Sequence, residues 1–292
     1  MTTTDVVQLL YLFASLLFIL GLQSMGKTEP ARRGIRLAEL GMLFAVVGTL
    51  LHQDIVSYQW IVISIAIGSA IGTAMGLFIP MVKMPERIAL SHAFGGLAVA
   101  LVGVSEYLRH GAAIERLTMA ATGLEIFLGA LTFTGSLVAF GKLQGFLPGR
   151  PIAVRGQNLF NLLGVAVALG LIAWLVASPG VATAFYVVLG LGTLLGVTLV
   201  LPIGGADMPV VISLLNSFTG LAVAATGFAL HNNALIISGT LVGASGTLLT
   251  MLMCKAMNRS LANVLFAGVG GGAPAAGGAS GKAGAAGKTV RE

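Results

Sequence analysis

The stretch GGADMPVVISLLNSFTG, residues 204–220, places polar groups inside an otherwise apolar run. Asp207 lies near its start, Ser213 and Asn216 lie in its second half, and His92 lies inside another apolar run. An ionisable group within a membrane span costs a few kcal/mol, so such residues are functional candidates. Histidine exchanges protons near neutral pH, and a carboxamide hydrogen-bonds either protonation state or a water molecule. These residue types predict a proton relay.

His92 and Asn216 are expected at similar depths in the membrane. His92 lies seven residues beyond Pro85, about 10 Å into its predicted helix at 1.5 Å per residue. Asn216 lies eight residues beyond Met208, about 12 Å into its own helix by the same rise. Both helices are predicted to begin on the cytoplasmic side, so the two side chains are expected to face each other. The alternative is a histidine satisfied by a neighbouring carbonyl.

Glu125 and Ser213 are the other candidate members of a proton path. Glu125 is expected roughly two turns into its helix from the outer side, where a path residue and a salt bridge near the surface are equally consistent with the sequence. Ser213 shares with Asn216 a stripe of small and polar residues at spacings of three and four. That stripe predicts either a polar path or a helix-packing face.

Asp207, Lys255 and Arg259 are expected at the cytoplasmic surface. Asp207 precedes Pro209, as a helix N-cap would, and its connection contains no Lys or Arg, which leaves the acid available to a basic partner. Lys255 and Arg259 close the last predicted helix, where cations favour both the helix C-terminus and anionic lipid. Membrane anchoring and contact with a following segment are both consistent with this position.

The composition requires a membrane to surround these residues. The chain has 292 residues, of which 57% are hydrophobic and 9% charged, whereas soluble domains carry roughly 25% charged residues. The single Cys254 excludes an intrachain disulfide framework and has no CxxC partner for a metal. We therefore expect no metal site. The net charge of +6 comes from residues in short connections rather than from a basic patch with aromatics, so we also expect no nucleic-acid partner.

The hydropathy pattern predicts an all-α membrane protein, a bundle of nine transmembrane helices. The nine apolar windows are 6–25, 35–52, 58–80, 86–108, 117–141, 158–177, 182–202, 209–230 and 233–257. Alternate connections and the C-terminal tail hold 14 Lys and Arg, whereas the opposite side holds only Arg109 and Arg116. By the positive-inside rule, the N-terminus is expected outside and the C-terminus in the cytoplasm.

Two regions are expected along the chain. Residues 1–265 form the nine-span domain, whose first span shows no signal-peptide pattern and is interpreted as retained. Residues 266–292 are rich in Gly and Ala, which predicts a flexible tether leading towards a further domain.

Four stretches together resemble one family. They are GADMPVVISLLNSFTG at 205–220, MPERIALSHAFGGLA at 84–98, TFTGSLVAFGKL at 132–143 and MCKAMNRS at 253–260. They are similar to the membrane domain of the beta subunit of proton-translocating NAD(P) transhydrogenase. The resemblance implies that hydride passes from NADH to NADP⁺ while protons move from outside to cytoplasm. It also implies a location in the bacterial cytoplasmic (inner) membrane.

The resemblance further implies partners and roles for individual residues. NAD(H) would bind a soluble domain of the alpha subunit, and NADP(H) a soluble domain after the tether, with two alpha-beta units forming a dimer. This chain itself would then bind no cofactor and hold no catalytic residue. The family's membrane histidine and asparagine match His92 and Asn216, its loop aspartate matches Asp207, and its basic helix end matches Lys255 and Arg259.

Two other classes of function are weighed against this one. A secondary transporter of a small solute is consistent with the many glycines and midplane polar groups, but the sequence shows no repeat of two halves. A structural membrane anchor is consistent with the tether and leaves His92 and Asn216 without a role.

Overall fold

A computed structural model describes residues 3–26, 30–51 and 58–266 of the chain, and this part is built from α-helices joined by short connections and single 3₁₀ turns. The helices are α1 (Thr3–Met25), α2 (Ala31–Leu50), α3 (Gln59–Phe78), α4 (Met84–His110), α5 (Arg116–Leu143), α6 (Gln157–Ala177), α7 (Ala182–Val200), α8 (Met208–Ala229), α9 (Asn233–Ala256) and α10 (Leu261–Phe266). The predicted all-helical class is confirmed. The predicted tether lies outside the described residues, apart from Phe266.

Eight of these helices are long and apolar enough to cross a membrane. The ninth predicted span corresponds to α2, which has 20 residues but is not among the eight. Its first half carries Arg32, Arg33, Arg36 and Glu39, so every window of membrane-spanning length contains at least three charges. The described part of the chain is therefore all-helical, with eight helices that could span a membrane.

Helix α5 forms the centre of the bundle. It packs against α4, α6, α7 and α8, and 72% of its most apolar window is buried. Small residues make this burial possible: a Cβ added to Gly129 would lie 2.9 Å from the backbone nitrogen of Ala100, and one added to Gly192 would lie 2.7 Å from the carbonyl oxygen of Phe127. Close backbone approach through small residues is how helices associate where lipid supplies no hydrophobic driving force. The polar residues of α5 from Thr122 to Lys142 are therefore held inside protein.

Helices α8 and α9 form a second closely packed pair. A Cβ on Gly220 would lie 2.2 Å from the backbone nitrogen of Gly243, and one on Gly239 would lie 2.4 Å from that of Ala224. Helices α1 and α2 form another pair, which contacts α9 through α1. Helix α3 has no buried residue among the described part of the chain.

The bundle has two ends, one near Lys142 and the other near His110. At the Lys142 end, α5 and α7 finish while α4, α6 and α8 begin. At the His110 end, α4 and α8 finish while α5 and α9 begin. The charge distribution predicts that the Lys142 end faces the cytoplasm.

Candidate functional site

His92 on α4 contacts α8 through a hydroxyl group. Its Nε2 lies 3.2 Å from Oγ1 of Thr219, and that hydroxyl also donates to the carbonyl oxygen of Leu215 at 3.2 Å. The imidazole is half-buried between the helices. When the Thr219 hydroxyl donates to Leu215, it accepts a hydrogen bond from the protonated Nε2, so the contact suits a histidine that carries a proton on that nitrogen.

The predicted partner of His92, Asn216, lies one helical turn before Thr219 on the same side of α8. Asn216 is half-buried, and the described residues provide no hydrogen bond to its side chain. The structure therefore brings α4 and α8 together at His92, and the residue in direct contact is Thr219 rather than Asn216. Sequence reasoning missed Thr219, although its spacing of three from Asn216 was a usable signal.

A row of polar side chains on α5 faces the interior without hydrogen-bond partners among the described residues. The atoms are Oγ1 of Thr122, both carboxylate oxygens of Glu125, Oγ1 of Thr132 and Oγ of Ser136. Their spacings of three, seven and four place them along one helix face. This row, which we call the α5 polar row, was represented in the sequence predictions by Glu125 alone. The three hydroxyl residues escaped notice because threonine and serine are ordinary in membrane helices.

Glu125 is fully buried at 0% exposure. Its Cδ would lie 3.2 Å from a Cβ added to Gly103 of α4, so the carboxyl group occupies space that this glycine leaves open. Within the described part of the chain no cation pairs with Glu125, which gives no support to the salt-bridge alternative. The side chain of Thr226 on α8 also approaches the carboxyl group, without reaching hydrogen-bond geometry.

The α5 polar row lies against α4 along its length. A Cβ on Gly96 would lie 3.2 Å from Cβ of Thr132, while Gly103 faces Glu125, so α4 and α5 run antiparallel with their small and polar residues opposed. His92 is one turn before Gly96. Since the helices are antiparallel, this turn of α4 lies at the level of Ser136, one turn beyond Thr132 on α5. The row therefore runs from Thr122 towards the level of His92.

A cavity of about 340 Å³ lies at the His110 end of the bundle. Its titratable lining residues are Glu106, His110, Glu115 and His231. Within this group, Nδ1 of His110 lies 2.9 Å from Oε1 of Glu106. Thr118 also lines the cavity, one turn before Thr122 on α5. A polar, titratable cavity thus adjoins the Thr122 end of the α5 polar row.

Asp207 and Arg259 form an ion pair at the Lys142 end. Arg259 Nη1 donates to Asp207 Oδ2 at 2.5 Å, and the Asp207 side chain is only 8% exposed. Asp207 occupies the residue before α8, but its carboxylate makes no capping hydrogen bond, so the capping prediction is wrong. The carboxylate instead pairs with Arg259 of its own chain. The two residues are 52 positions apart, so the local sequence pattern did not predict this pair.

The chain geometry after α9 delivers Arg259 to this position. Asn258 has a left-handed backbone with φ of 53°, and the amide of Arg259 donates to the carbonyl oxygen of Cys254 at 2.9 Å. This tight turn ends the helix and redirects the chain. Lys255, in the last turn of α9, is exposed. The structure therefore joins two of the three predicted surface residues and leaves Lys255 open to solvent.

Ser213 lies at the α8–α9 contact. Its hydroxyl is buried and donates to the carbonyl oxygen of Gly246 at 3.1 Å. Ser217, one turn further on, donates to the carbonyl oxygen of Gly243 at 2.9 Å and contacts Oγ1 of Thr247 at 2.6 Å. This geometry supports the packing-face interpretation of Ser213.

Comparison with known proteins identifies the family of this chain. The profile of the family described as NAD(P) transhydrogenase beta subunit matches residues 7–292. Two curated proteins named NAD(P) transhydrogenase subunit beta, both from Rhodospirillum rubrum, are each 42% identical over 276 residues. The matched region covers 91% of this chain and 59% of each relative, so the chain spans little more than half of their length. The chain belongs to the NAD(P) transhydrogenase beta subunit family.

Proposed function

We propose that this chain is the membrane part of a proton-translocating NAD(P) transhydrogenase. It would couple inward proton movement to hydride transfer from NADH to NADP⁺, which takes place in partner soluble domains. The observation that carries this proposal is the contact between His92 and Thr219 inside a bundle of apolar helices, beside the buried α5 polar row. Family membership does not favour the alternative of a solute transporter.

The proposed proton path begins at the cavity at the His110 end. From there protons pass along Thr118, Thr122 and Glu125, and water molecules bridge the buried oxygens of the row towards His92. Leaving such buried oxygens without a hydrogen bond costs about 1–3 kcal/mol each, which favours bridging water. Asn216, one turn from Thr219, holds water beside the imidazole.

His92 exchanges the proton at the end of this row. When both ring nitrogens carry protons, Nε2 donates to the Thr219 hydroxyl, which remains free to donate to Leu215. When Nε2 is deprotonated it becomes an acceptor, and the hydroxyl turns to it and releases the Leu215 carbonyl. Protonation of His92 therefore changes a hydrogen bond within α8 itself.

Helix α8 transmits this change to the surface at the Lys142 end. Thr219 lies twelve residues beyond Asp207, about 18 Å along the helix. The ion pair between Asp207 and Arg259 lies at the near end of α8, and exposed Lys255 lies beside it on α9. We propose that a soluble NADP(H)-binding domain contacts this surface. Coupling energies between distant sites are typically 1–3 kcal/mol, which one exchanged hydrogen bond can supply.

The proposal includes the setting of the chain. Helix α2 crosses the membrane as a ninth span, with its charged first half at the cytoplasmic interface. The N-terminus is outside, residues 266–292 tether the NADP(H)-binding domain, and an alpha subunit supplies the NAD(H)-binding domain. Two alpha-beta units form a dimer in a bacterial inner membrane.

Replacement of His92 tests the function. His92→Ala in the complete complex removes the group that exchanges the proton, so proton pumping in sealed vesicles is expected to be abolished while NADP(H) and NAD(H) still bind. The measurement is the initial rate of pH change inside the vesicles during hydride transfer.

Ser91→Ala is the matched control for this variant. The Ser91 hydroxyl is exposed and, among the residues that the structure describes, bonds only the Arg87 and Ile88 carbonyls of its own helix, so pumping is expected to persist. Normal pumping by His92→Ala would contradict the proposed function.

A further inference from the structure

We infer that the C-terminal end of α5, residues 142–144, positions the connection between α7 and α8 relative to α4, and that it acts as a positioning element for coupling. The inference rests on the proposed function, because it concerns the link between His92 on α4 and Asp207 at the start of α8. Neither Lys142 nor Gln144 was a candidate from the sequence.

Lys142 is a buried cation, only 4% exposed. Its Nζ donates to the carbonyl oxygens of Leu201 at 2.5 Å and Ile203 at 2.6 Å. Leu201 is the C-cap of α7, where carbonyl groups lack helical partners and carry partial negative charge. The ammonium group therefore holds the end of α7 and the beginning of the connection by two charge-assisted hydrogen bonds.

The same connection is attached to the segment that follows α5. The amide of Gly205 donates to the carbonyl oxygen of Gly149 at 2.8 Å, and the amide of Ile152 donates to that of Leu201 at 3.3 Å. The connection formed by residues 201–205 is thus hydrogen-bonded both to Lys142 and to the segment that follows α5. Asp207 follows two residues later and pairs with Arg259.

Gln144 joins this region to the helix of His92. Its Nε2 donates to Oε2 of Glu86 at 2.5 Å. Glu86 lies in the first turn of α4, six residues before His92. At the C-terminal end of α5, Lys142 therefore contacts the connection that leads to Asp207, and the C-cap residue Gln144 contacts the start of α4.

This arrangement gives a second route from His92 to Asp207, in addition to α8 itself. A displacement of the first turns of α4 would reach the α7–α8 connection through Gln144 and Lys142. The test therefore measures coupling directly. The ratio of protons moved to hydride transferred serves this purpose, because a loss of folded complex lowers both quantities together.

The experiment uses the complete complex in sealed vesicles. Gln144→Glu places a carboxylate against the carboxylate of Glu86, and the ratio is expected to fall about fivefold, which corresponds to about 1 kcal/mol for one hydrogen bond. The double variant E86Q/Q144E exchanges donor and acceptor across the same contact and is expected to restore the ratio. Failure of the double variant to restore it would overturn the inference.

Lys142→Met provides a second test. Methionine fills a similar volume without the ammonium group, so the connection loses both hydrogen bonds and the ratio is expected to fall at least fivefold by the same conversion. Lys83→Met is the matched control. Lys83 is exposed at the same end of the bundle, so its replacement is expected to leave the ratio unchanged.

The outcomes separate this inference from the proposed function. If His92→Ala pumps normally, the proposed function fails. If His92→Ala abolishes pumping while Gln144→Glu and Lys142→Met keep the parent ratio, only the positioning role of α5 fails. If the Lys142→Met complex does not assemble, the pair Q144E and E86Q/Q144E decides the result.

Discussion

At the scale of single residues, the hydroxyl of Thr219 lies between His92 and the carbonyl group of Leu215, and under the proposed function it responds to the protonation state of His92. It has one proton and two neighbours that compete for it, the His92 Nε2 and the Leu215 carbonyl. A switch of this kind needs a hydroxyl, because a carboxamide has separate donor and acceptor atoms and need not choose. Thr219 therefore adds a function that Asn216 alone does not provide.

Thr219→Val removes the hydroxyl while keeping the shape of the side chain. The half-buried imidazole then loses its partner, which costs about 1–3 kcal/mol, so we expect proton pumping to fall about tenfold. The measurement is the initial pumping rate in sealed vesicles. Thr219→Ser, which keeps the hydroxyl, should retain most of the rate. Equal losses in both variants would contradict this role.

Glu125→Gln keeps the size of the buried side chain but removes the exchangeable carboxyl proton. A positioned acid or base typically contributes about 10²-fold or more, so we expect a loss of that order in the pumping rate. The control is Glu115→Gln, since Glu115 is an exposed residue that lines the cavity at the His110 end. A parent-like pumping rate in Glu125→Gln would exclude Glu125 from the path.

At the scale of helices, the contact between α8 and α9 depends on glycine. Gly220→Ala would place a Cβ 2.2 Å from the backbone nitrogen of Gly243, and a backbone atom cannot move aside as a side chain does. Overpacking of this kind costs about 1–3 kcal/mol, so we expect the thermal unfolding midpoint of the purified chain in detergent to fall.

Gly72→Ala on α3 is the matched control for this helix contact. Apart from the neighbouring backbone of α3 itself, no atom of the described residues lies within 4 Å of a Cβ added at Gly72, so we expect the unfolding midpoint to stay at the parent value or rise, because alanine favours helix over glycine. A midpoint for Gly220→Ala equal to that of Gly72→Ala would show that α8 and α9 are not tightly packed.

At the scale of the whole molecule, the predicted orientation of the bundle would assign the two ends of the proposed proton path. Ser178→Cys, at the end of α6, is expected outside, and Arg150→Cys, before α6, is expected in the cytoplasm. A membrane-impermeant thiol reagent applied to intact cells should label only Ser178→Cys. Cys254 is buried and gives a low background. Labelling of Arg150→Cys alone would reverse the orientation.

The candidate site was partly accessible from the sequence. His92, Glu125 and Asp207 stood out because ionisable groups are rare in apolar segments. Thr122, Thr132 and Ser136 did not, because their hydroxyl groups become significant only when they are buried without partners on one face of α5. The partner of Asp207 was also hidden, because Arg259 is distant in sequence and reaches it through a left-handed turn at Asn258.

The sequence by itself determined three properties of this protein: its apolar helices, the charged connections between them, and its family. These follow from the sequence because helix length, charge and motif are local properties of the chain. Only the tertiary structure decided that His92 meets Thr219, that α5 forms the buried centre, and that Lys142 holds the end of α7. The physical reason is rotation about the helix axis: hydropathy that is nearly uniform around a membrane helix leaves its orientation open. Close packing of small residues between neighbouring helices then sets which polar groups face one another.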